Sequence, residues 1–511
     1  MTPAAAGSAP AEGARRGLIT VSIMLATIMQ AIDTTIANVA LPHMQGSMSA
    51  TQDQIAWVLT SYIVAAAIVT PATGYLAARF GRKQVFAVAV AGFTVASMLC
   101  GAATSLEEIV LFRLLQGAFG AGLVPLSQSV LLDTYPKERH GSAMALWGVG
   151  VMVGPVVGPT LGGWLTEAYD WRWVFYINLP FGLLALAGIL AFLPETGRDL
   201  RRRFDVTGFA LLSLAIGALQ MMLDRGETLD WFSATEIVVE ATLAGLCLYL
   251  FLVHTFTADG TFIDRRLFAD RNLVVGLALI FVVGVVLLAT MALLPTFLQS
   301  LLGYPVETTG YVLAPRGLGT MIAMAVVGRL VGRVDARLLI LGGLALTAQS
   351  LWEMAGFTAD IAPFDIVRSG FVQGLGLGFI FVPLSTLTFS TLDARFRTEG
   401  TALFSLMRNI GSSIGISAVV AALAAGTQAN HARLAEHVSP LNPLMQTLPP
   451  AWDPATAAGL AALNGEVTRQ AAMIAYLGDF QLMLLVTLAM VPMLLLLRRP
   501  PRTAGVETVI D

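Results

Sequence analysis

Gly74-Tyr75-Leu76-Ala77-Ala78-Arg79-Phe80-Gly81-Arg82-Lys83 sits between two apolar stretches, and a shortened echo, Gly328-Arg329-Leu330-Val331-Gly332-Arg333, recurs 254 residues later. Two further echoes share nearly the same spacing. Ala40-Leu41-Pro42 returns as Leu293-Leu294-Pro295 after 253 residues. Gln116-Gly117 with Val124-Pro125-Leu126-Ser127 returns as Gln373-Gly374 with Val382-Pro383-Leu384-Ser385 after 257 and 258. Any one match is weak in so biased a composition, but three at one offset indicate two copies of one unit. The decapeptide reads as a tight turn whose glycines permit the bend and whose cations mark one face of a membrane.

The 511 residues are 56% hydrophobic and 12% charged, with mean hydropathy +0.75. That is about half the charge of an ordinary soluble protein, and it predicts an all-α polytopic membrane protein. The net charge of −3 gives no reason to expect nucleic acid as a partner. Cys100 and Cys247 lie in apolar stretches and read as small core residues rather than a disulfide. No small-residue cleavage pattern follows the first apolar stretch, so its helix is expected to be retained.

A membrane span needs about 20 largely apolar residues. Fourteen windows qualify, at about 17–37, 55–76, 84–103, 107–131, 142–166, 173–193, 206–223, 235–256, 273–298, 308–331, 337–356, 364–390, 400–425 and 474–497. They are numbered here segments 1 to 14. An even count puts both termini on one side. Of the 30 Lys and Arg residues, 22 fall in tails and loops on that side and four, Arg172, Arg225, Arg433 and Arg469, on the other. The remaining four, Arg113, Arg316, Arg368 and Arg408, lie within or at the edge of segments. Cation excess marks the cytoplasmic face, so both termini are expected in the cytoplasm.

The repeat aligns segment 1 with 9, segments 2 and 3 with 10 and 11, and segment 4 with 12. It predicts two six-helix bundles, 17–193 and 273–497, with 206–256 as an inserted helix pair and cytoplasmic tails at 1–16 and 498–511. Membrane proteins built from such repeats place a binding site near the midplane and work by alternating access. The longest segment outside the membrane, 426–472, is expected on the periplasmic side and carries Pro440, Pro443, Pro449, Pro450 and Pro454. Partner contact and simple tethering are both open to it, and Ala455 to Tyr476 has helical composition.

Charges inside the segments are the candidates for function. Asp33 lies within Ile32-Asp33-Thr34-Thr35-Ile36-Ala37-Asn38-Val39-Ala40-Leu41-Pro42, and is either a functional acid or a carboxylate near a helix end. At 1.5 Å per residue it is about 24 Å from the inner face of a core roughly 30 Å thick. Arg113, entering from the other face on segment 4, is about 9 Å deep by the same measure. The two depths match, so a pair is possible; snorkelling of Arg113 to the outer interface is the alternative. Arg316 and Arg408 fall near mid-membrane in segments 10 and 13, where a cavity-facing and a carbonyl-paired role stand equal. Glu353 and Glu240 are weaker candidates.

Segment 5 contains Gly150-Val-Met-Val-Gly154-Pro155-Val-Val-Gly158-Pro159-Thr-Leu-Gly162-Gly163. Small residues four apart let helices approach closely, and the prolines free backbone carbonyls and bend the helix.

These motifs resemble those of the major facilitator superfamily. The decapeptide is similar to its Gly-x-Leu-Ala-Asp-Arg-x-Gly-Arg-Lys signature, with Ala78 in place of the acid. Gly74, Arg79, Gly81 and Arg82 are accordingly expected to be structural or gating residues. Arg113-Leu-Leu-Gln116-Gly117 resembles the family's segment 4 motif. Gly154, Pro155, Gly158 and Pro159 resemble its antiporter motif, with Pro159 replacing a glycine. Leu219 to Phe232, Ala314 to Gly319 and Asp33 to Pro42 together look like the fourteen-span drug:proton antiporters of EmrB type.

That resemblance implies proton-coupled efflux of lipophilic compounds across the bacterial inner membrane. Asp33 and Arg113 would couple protons, while Asn38, Gln116, Arg316 and Arg408 would line the substrate cavity. Membrane lipid, a periplasmic adaptor (membrane fusion) protein and an outer-membrane channel are the implied partners. The repeat sets Asp33 opposite Val286, so proton binding is expected to be asymmetric and to reside in the first bundle. The same scaffold would serve a dedicated exporter of a fatty acid or secondary metabolite, and a non-transporting membrane sensor is a further reading. No nucleotide-binding loop, metal-ligand cluster or nucleophile constellation is discernible, so neither an enzyme nor a cofactor or metal is expected.

Overall fold

Residues in lipid must satisfy their backbone groups internally, and each apolar window accordingly forms helix. A computed structural model describes residues 8–199, 204–258, 260–438 and 456–498, with Asn442 and Trp452. The parts of the expected tails at 1–7 and 499–511, and most of 439–455 with its five prolines, lie outside the described residues. Segment 1 is Ser8–Met48, segment 2 is Gln52–Val69 continued by Ala72–Phe80, and segment 3 is Arg82–Ala102. Segment 4 is Leu106–Gly120 continued by Leu123–Thr134, segment 5 is His140–Ala168, and segment 6 is Trp173–Tyr176 continued by Asn178–Phe192. Segments 7 to 10 are Val206–Arg225, Thr235–Thr257, Arg271–Thr296 and Val306–Leu330. Segments 11 to 14 are Ala336–Met354, Pro363–Thr388, Arg397–Ala435 and Ala457–Met493.

Among the described residues, 12 helices are long and apolar enough to cross a membrane, and segment 2, bent by 56°, raises this to 13. The expected fourteenth, segment 11, has 19 residues and includes Arg337 and Glu353. The bend in segment 2 falls at Thr70-Pro71, where proline withholds an N–H from the ladder. Pro295 is followed by a π turn at Phe297–Leu301. Thr51 and Gln54 form a reciprocal capping box that starts segment 2.

The packing repeats with the sequence. Segment 1 lies along 5 as 9 lies along 13, and segment 2 along 4 as 10 along 12. Segment 3 touches 4 and 6 as 11 touches 12 and 14. Segments 7 and 8 lie against each other, and segment 7 also reaches segments 2 and 13. The two halves meet along segments 5 and 10, and where segment 13 crosses the ends of 2 and 4.

On the outer surface, Leu183, Leu184, Leu246 and Tyr249 are exposed, as lipid-facing side chains should be. Trp164, Tyr169, Trp173 and Tyr176 form a chain of ring contacts at the end away from the termini, edge-to-face at its two ends and tilted between Tyr169 and Trp173, matching an interfacial aromatic belt. Segments 13 and 14, at 39 and 37 residues, are far longer than a span requires. They stay paired beyond it through Asn430 to the Ala471 carbonyl at 3.5 Å and His431 to Asn464 at 3.1 Å. Helix does continue through the second half of 426–472, starting at Ala457.

Candidate functional site

Segment 1 is seated first by its contacts with segment 5. A Cβ on Gly154 would fall on the Ala31 carbonyl, one on Gly158 on Thr35 Oγ1, and one on Gly162 on Ile36. Thr35 Oγ1 in turn donates to the Gly154 carbonyl at 3.0 Å. With Ala31 and Thr35 fixed on segment 5, the helical period turns Asp33 to the other side, toward segments 4 and 6.

There Asp33 is fully buried and meets three donors. Arg113 Nη1 donates to Oδ2 at 2.8 Å, while Gln116 Nε2 and Asn178 Nδ2 each donate to Oδ1 at 2.8 Å. Arg113 also donates through Nη1 to Gln116 Oε1 at 2.8 Å and through Nε to the Val58 carbonyl at 3.1 Å. Its guanidinium carbon lies 4.3 Å from the Tyr62 ring centroid. Ser97 supports Asn178 by accepting its amide at 2.9 Å and donating to the Phe175 carbonyl at 2.9 Å. The expected Asp33–Arg113 pair is therefore present, and Arg113, 1% exposed, does not snorkel. Gln116, expected in a cavity, is 0% exposed and part of the carboxylate's cage. Chemically this cage is a junction: one acceptor group ties segments 1, 4 and 6 together, and Arg113 adds segment 2.

The second half repeats the backbone of this junction without its charges. Gly117 lets segment 4 close on the Tyr62 carbonyl, and Gly374 lets segment 12 close on the Arg316 carbonyl. Gln373 Nε2 reaches Thr290 Oγ1 at 3.4 Å. The residue matching Asp33 is thus Thr290, one helical turn beyond the expected Val286 and on the same face, at the 257-residue offset of Gln116 and Gln373 rather than the 253 of Ala40-Leu41-Pro42. Arg316 matches Tyr62, not Arg113, and its Nη2 donates to the Leu287 carbonyl at 3.2 Å.

At the end of the molecule bearing the termini, the turn at 74–83 touches the second half. Asp133, on segment 4, is ion-paired with both Arg82 and Arg397. Ser129 and Thr398 hydroxyls are 2.9 Å apart, and Thr401 Oγ1 donates to the Pro125 carbonyl at 3.0 Å. Gly74 admits Glu399 so closely that a Cβ would overlap it. Gly81 takes φ +89°, a conformation glycine adopts freely, and so allows the reversal into segment 3. Arg79 Nη1 donates to Tyr75 Oη at 2.5 Å. Ala78 supplies no acid here; Asp133 brings one in from a neighbouring helix.

A family model described as Major Facilitator Superfamily matches residues 23–416. The chain belongs to that superfamily. Superfamily relatives include the protein named multidrug export protein EmrB of Haemophilus influenzae, 36% identical over 86% of both chains. Another is the protein named fatty acid resistance protein FarB of Neisseria gonorrhoeae, 38% identical over 84% of this chain and 85% of that one. The solved structure of the human organic anion transporter MFSD10 shares the superfamily fold at TM-score 0.60 and 14% identity, covering 92% of this chain and 99% of that one.

The other expected residues of this superfamily member are scattered. Asn38 is exposed beside Thr34, on a different face of segment 1 from Asp33. Arg408 is half-buried; its carbonyl accepts from Ser412 Oγ at 2.8 Å, while its guanidinium enters neither a hydrogen bond nor an ion pair among the described residues. Glu353 pairs with Arg368 at 3.5 Å, and Glu240 lies 4.0 Å from Arg225. Pro155 and Pro159 sit inside segment 5 without ending it. Among the described residues no three His, Cys, Asp or Glu side chains are grouped to hold a metal ion.

Four functional candidates escaped the sequence reading: Asn178, Asp133, Arg397 and Asp479. Asn178 and Asp479 carried a signal, each being a polar residue inside an apolar window. Asp133 and Arg397 carried none, since a charge at a helix end is ordinary until its partner across the halves is known.

Proposed function

We propose that the protein is a proton-coupled exporter of lipophilic drugs or toxic compounds, working by alternating access across the inner membrane. The observation that carries this is the Asp33 junction. A proton arriving on Asp33 removes an acceptor from Arg113 and neutralises its counter-charge, weakening the attachment of segment 1 to segments 4 and 6. Proton occupancy thereby becomes a bias on helix position. The names of the EmrB relatives support the multidrug reading, and the cation excess supports a cytoplasmic location for both termini. The organisation proposed is a first bundle at 17–193, an inserted pair at 206–256 and a second bundle at 273–497. Asp133 with Arg82 and Arg397 then forms a cytoplasmic gate, here closed.

The paired helices of 426–435 and 457–472 project beyond the membrane on the periplasmic side in this reading. They offer the surface for a periplasmic adaptor, itself joined to an outer-membrane channel. Asn38, Arg316 and Arg408 are proposed to serve the substrate path, with Arg408 the cation a substrate meets there. Similarity to FarB favours, as a second reading, export of a fatty acid by the same cycle.

The test is reconstitution in liposomes under an imposed pH gradient, with a panel of lipophilic cations, weak acids and fatty acids. Gradient-driven flux that is lost in Asp33→Asn is expected. Full flux in that variant, or flux insensitive to the gradient, refutes the coupling.

A further inference from the structure

Asp479 lies on segment 14 and is 3% exposed. Its Oδ2 is enclosed without a hydrogen-bond partner, and neither oxygen enters a hydrogen bond or ion pair among the described residues. Phe480 beside it stacks edge-on to Phe297 and Phe357. Gly426 lies against Ala475, so in antiparallel register segment 13 passes Asp479 with Ala421-Ala422-Leu423.

Segments 9, 11 and 13 supply the groups packed against segment 14. Their ionisable residues leave Asp479 alone. Tyr476 is one turn away on the same helix and buried. Arg408 is about 21 Å down segment 13 at 1.5 Å per residue. His431 and Arg433 lie on the projecting part of that helix, and Glu353 of segment 11 is paired with Arg368. Arg271, Arg337, Arg397 and Glu399 sit at the opposite ends of these helices, and Glu466 pairs with Arg469 at 2.8 Å.

The contrast with Asp33 is complete. Three N–H groups satisfy one acid, and nothing satisfies the other. A buried carboxylate with neither donor nor cation is an uncompensated charge, whereas the neutral acid is tolerated. We propose that Asp479 is a second proton-binding site, in the second half of the chain, occupied when the terminal side of the molecule is closed. Movement of segment 14 that admits water would release that proton. This role in coupling rests on the transport reading above; the occupancy of Asp479 does not.

The full-length protein in lipid, labelled with carboxyl-13C aspartate, is followed by infrared spectroscopy through the C=O stretch of protonated aspartic acid. At neutral pH the labelled band is expected in the wild type, retained in Asp33→Asn and lost in Asp479→Asn. Because Asn mimics the neutral acid, D479N should melt within a few degrees of wild type. In parallel, spin labels at E138C and R395C report the Asp133–Arg397 contact against pH, and D479N should remove one transition. An unchanged aspartic acid band, or a large loss of stability in D479N, overturns the proton site. An unchanged gate profile with the band lost overturns its coupling and leaves the Asp33 mechanism standing.

Discussion

Gln373 reaches Thr290 at 3.4 Å in the second half, where Gln116 reaches Asp33 at 2.8 Å in the first. One scaffold therefore carries a charged junction and a neutral one. Thr290 Oγ1 already donates to the Val286 carbonyl at 2.7 Å, so its contact with Gln373 adds little. Thr290→Val is expected to cost no more than about 1 kcal/mol, the net value of one neutral hydrogen bond, and to leave transport intact. Asp33→Thr should abolish coupling and lower the melting temperature, because Arg113 is then buried without its counter-charge. Thermal unfolding in detergent, with flux in liposomes, checks both.

Asn178 is one of three donors to Asp33. Asn178→Leu removes a hydrogen bond to a charged group, worth about 1.5–3 kcal/mol. Its effect should be a reduced flux whose pH dependence is shifted, rather than the loss expected for Asp33→Asn. A flux-against-pH curve superimposable on wild type would assign Asn178 to packing alone.

Gly154→Ala should displace segment 1, since the added Cβ meets the Ala31 backbone, at about 1–3 kcal/mol for overpacking. Gly163→Ala is the control, with its nearest neighbour, Val39 Cγ1, at 3.9 Å. Strong loss of transport in the first and near-normal transport in the second is the expected pattern.

Asp133→Asn removes the shared acceptor of Arg82 and Arg397, and should open the terminal side more often. Cys100 and Cys247 are both buried, so the wild type gives a low thiol background. A cysteine introduced by S129C should react several-fold faster with a membrane-impermeant maleimide in the Asp133→Asn background. Equal rates would show that the Thr401–Pro125 contact and the packing of Glu399 on Gly74 hold the closure without Asp133.

Helix content and the repeat were determined by sequence alone, which also offered the pairing of Asp33 with Arg113 as one of two readings; the structure chose it over snorkelling. Apolar length decides whether a segment enters lipid, and two charges at one depth have few better partners than each other. The depth estimate could not choose among the residues around that pair. Asn178 and Gln116 joined it only through the rotation of segments 4 and 6. The tertiary structure also moved the counterpart of Asp33 from Val286 to Thr290, one turn along the same face, because the echoes differ in offset by one helical turn and the Gln373–Thr290 contact chooses between them. It alone set Asp133 between Arg82 and Arg397, residues more than 250 positions apart at their extremes. Asp479 was visible as an acid in an apolar window, but that nothing answers its charge is a property of its surroundings. Sequence fixes which groups are costly to bury; only the packed helices determine which of them find a partner.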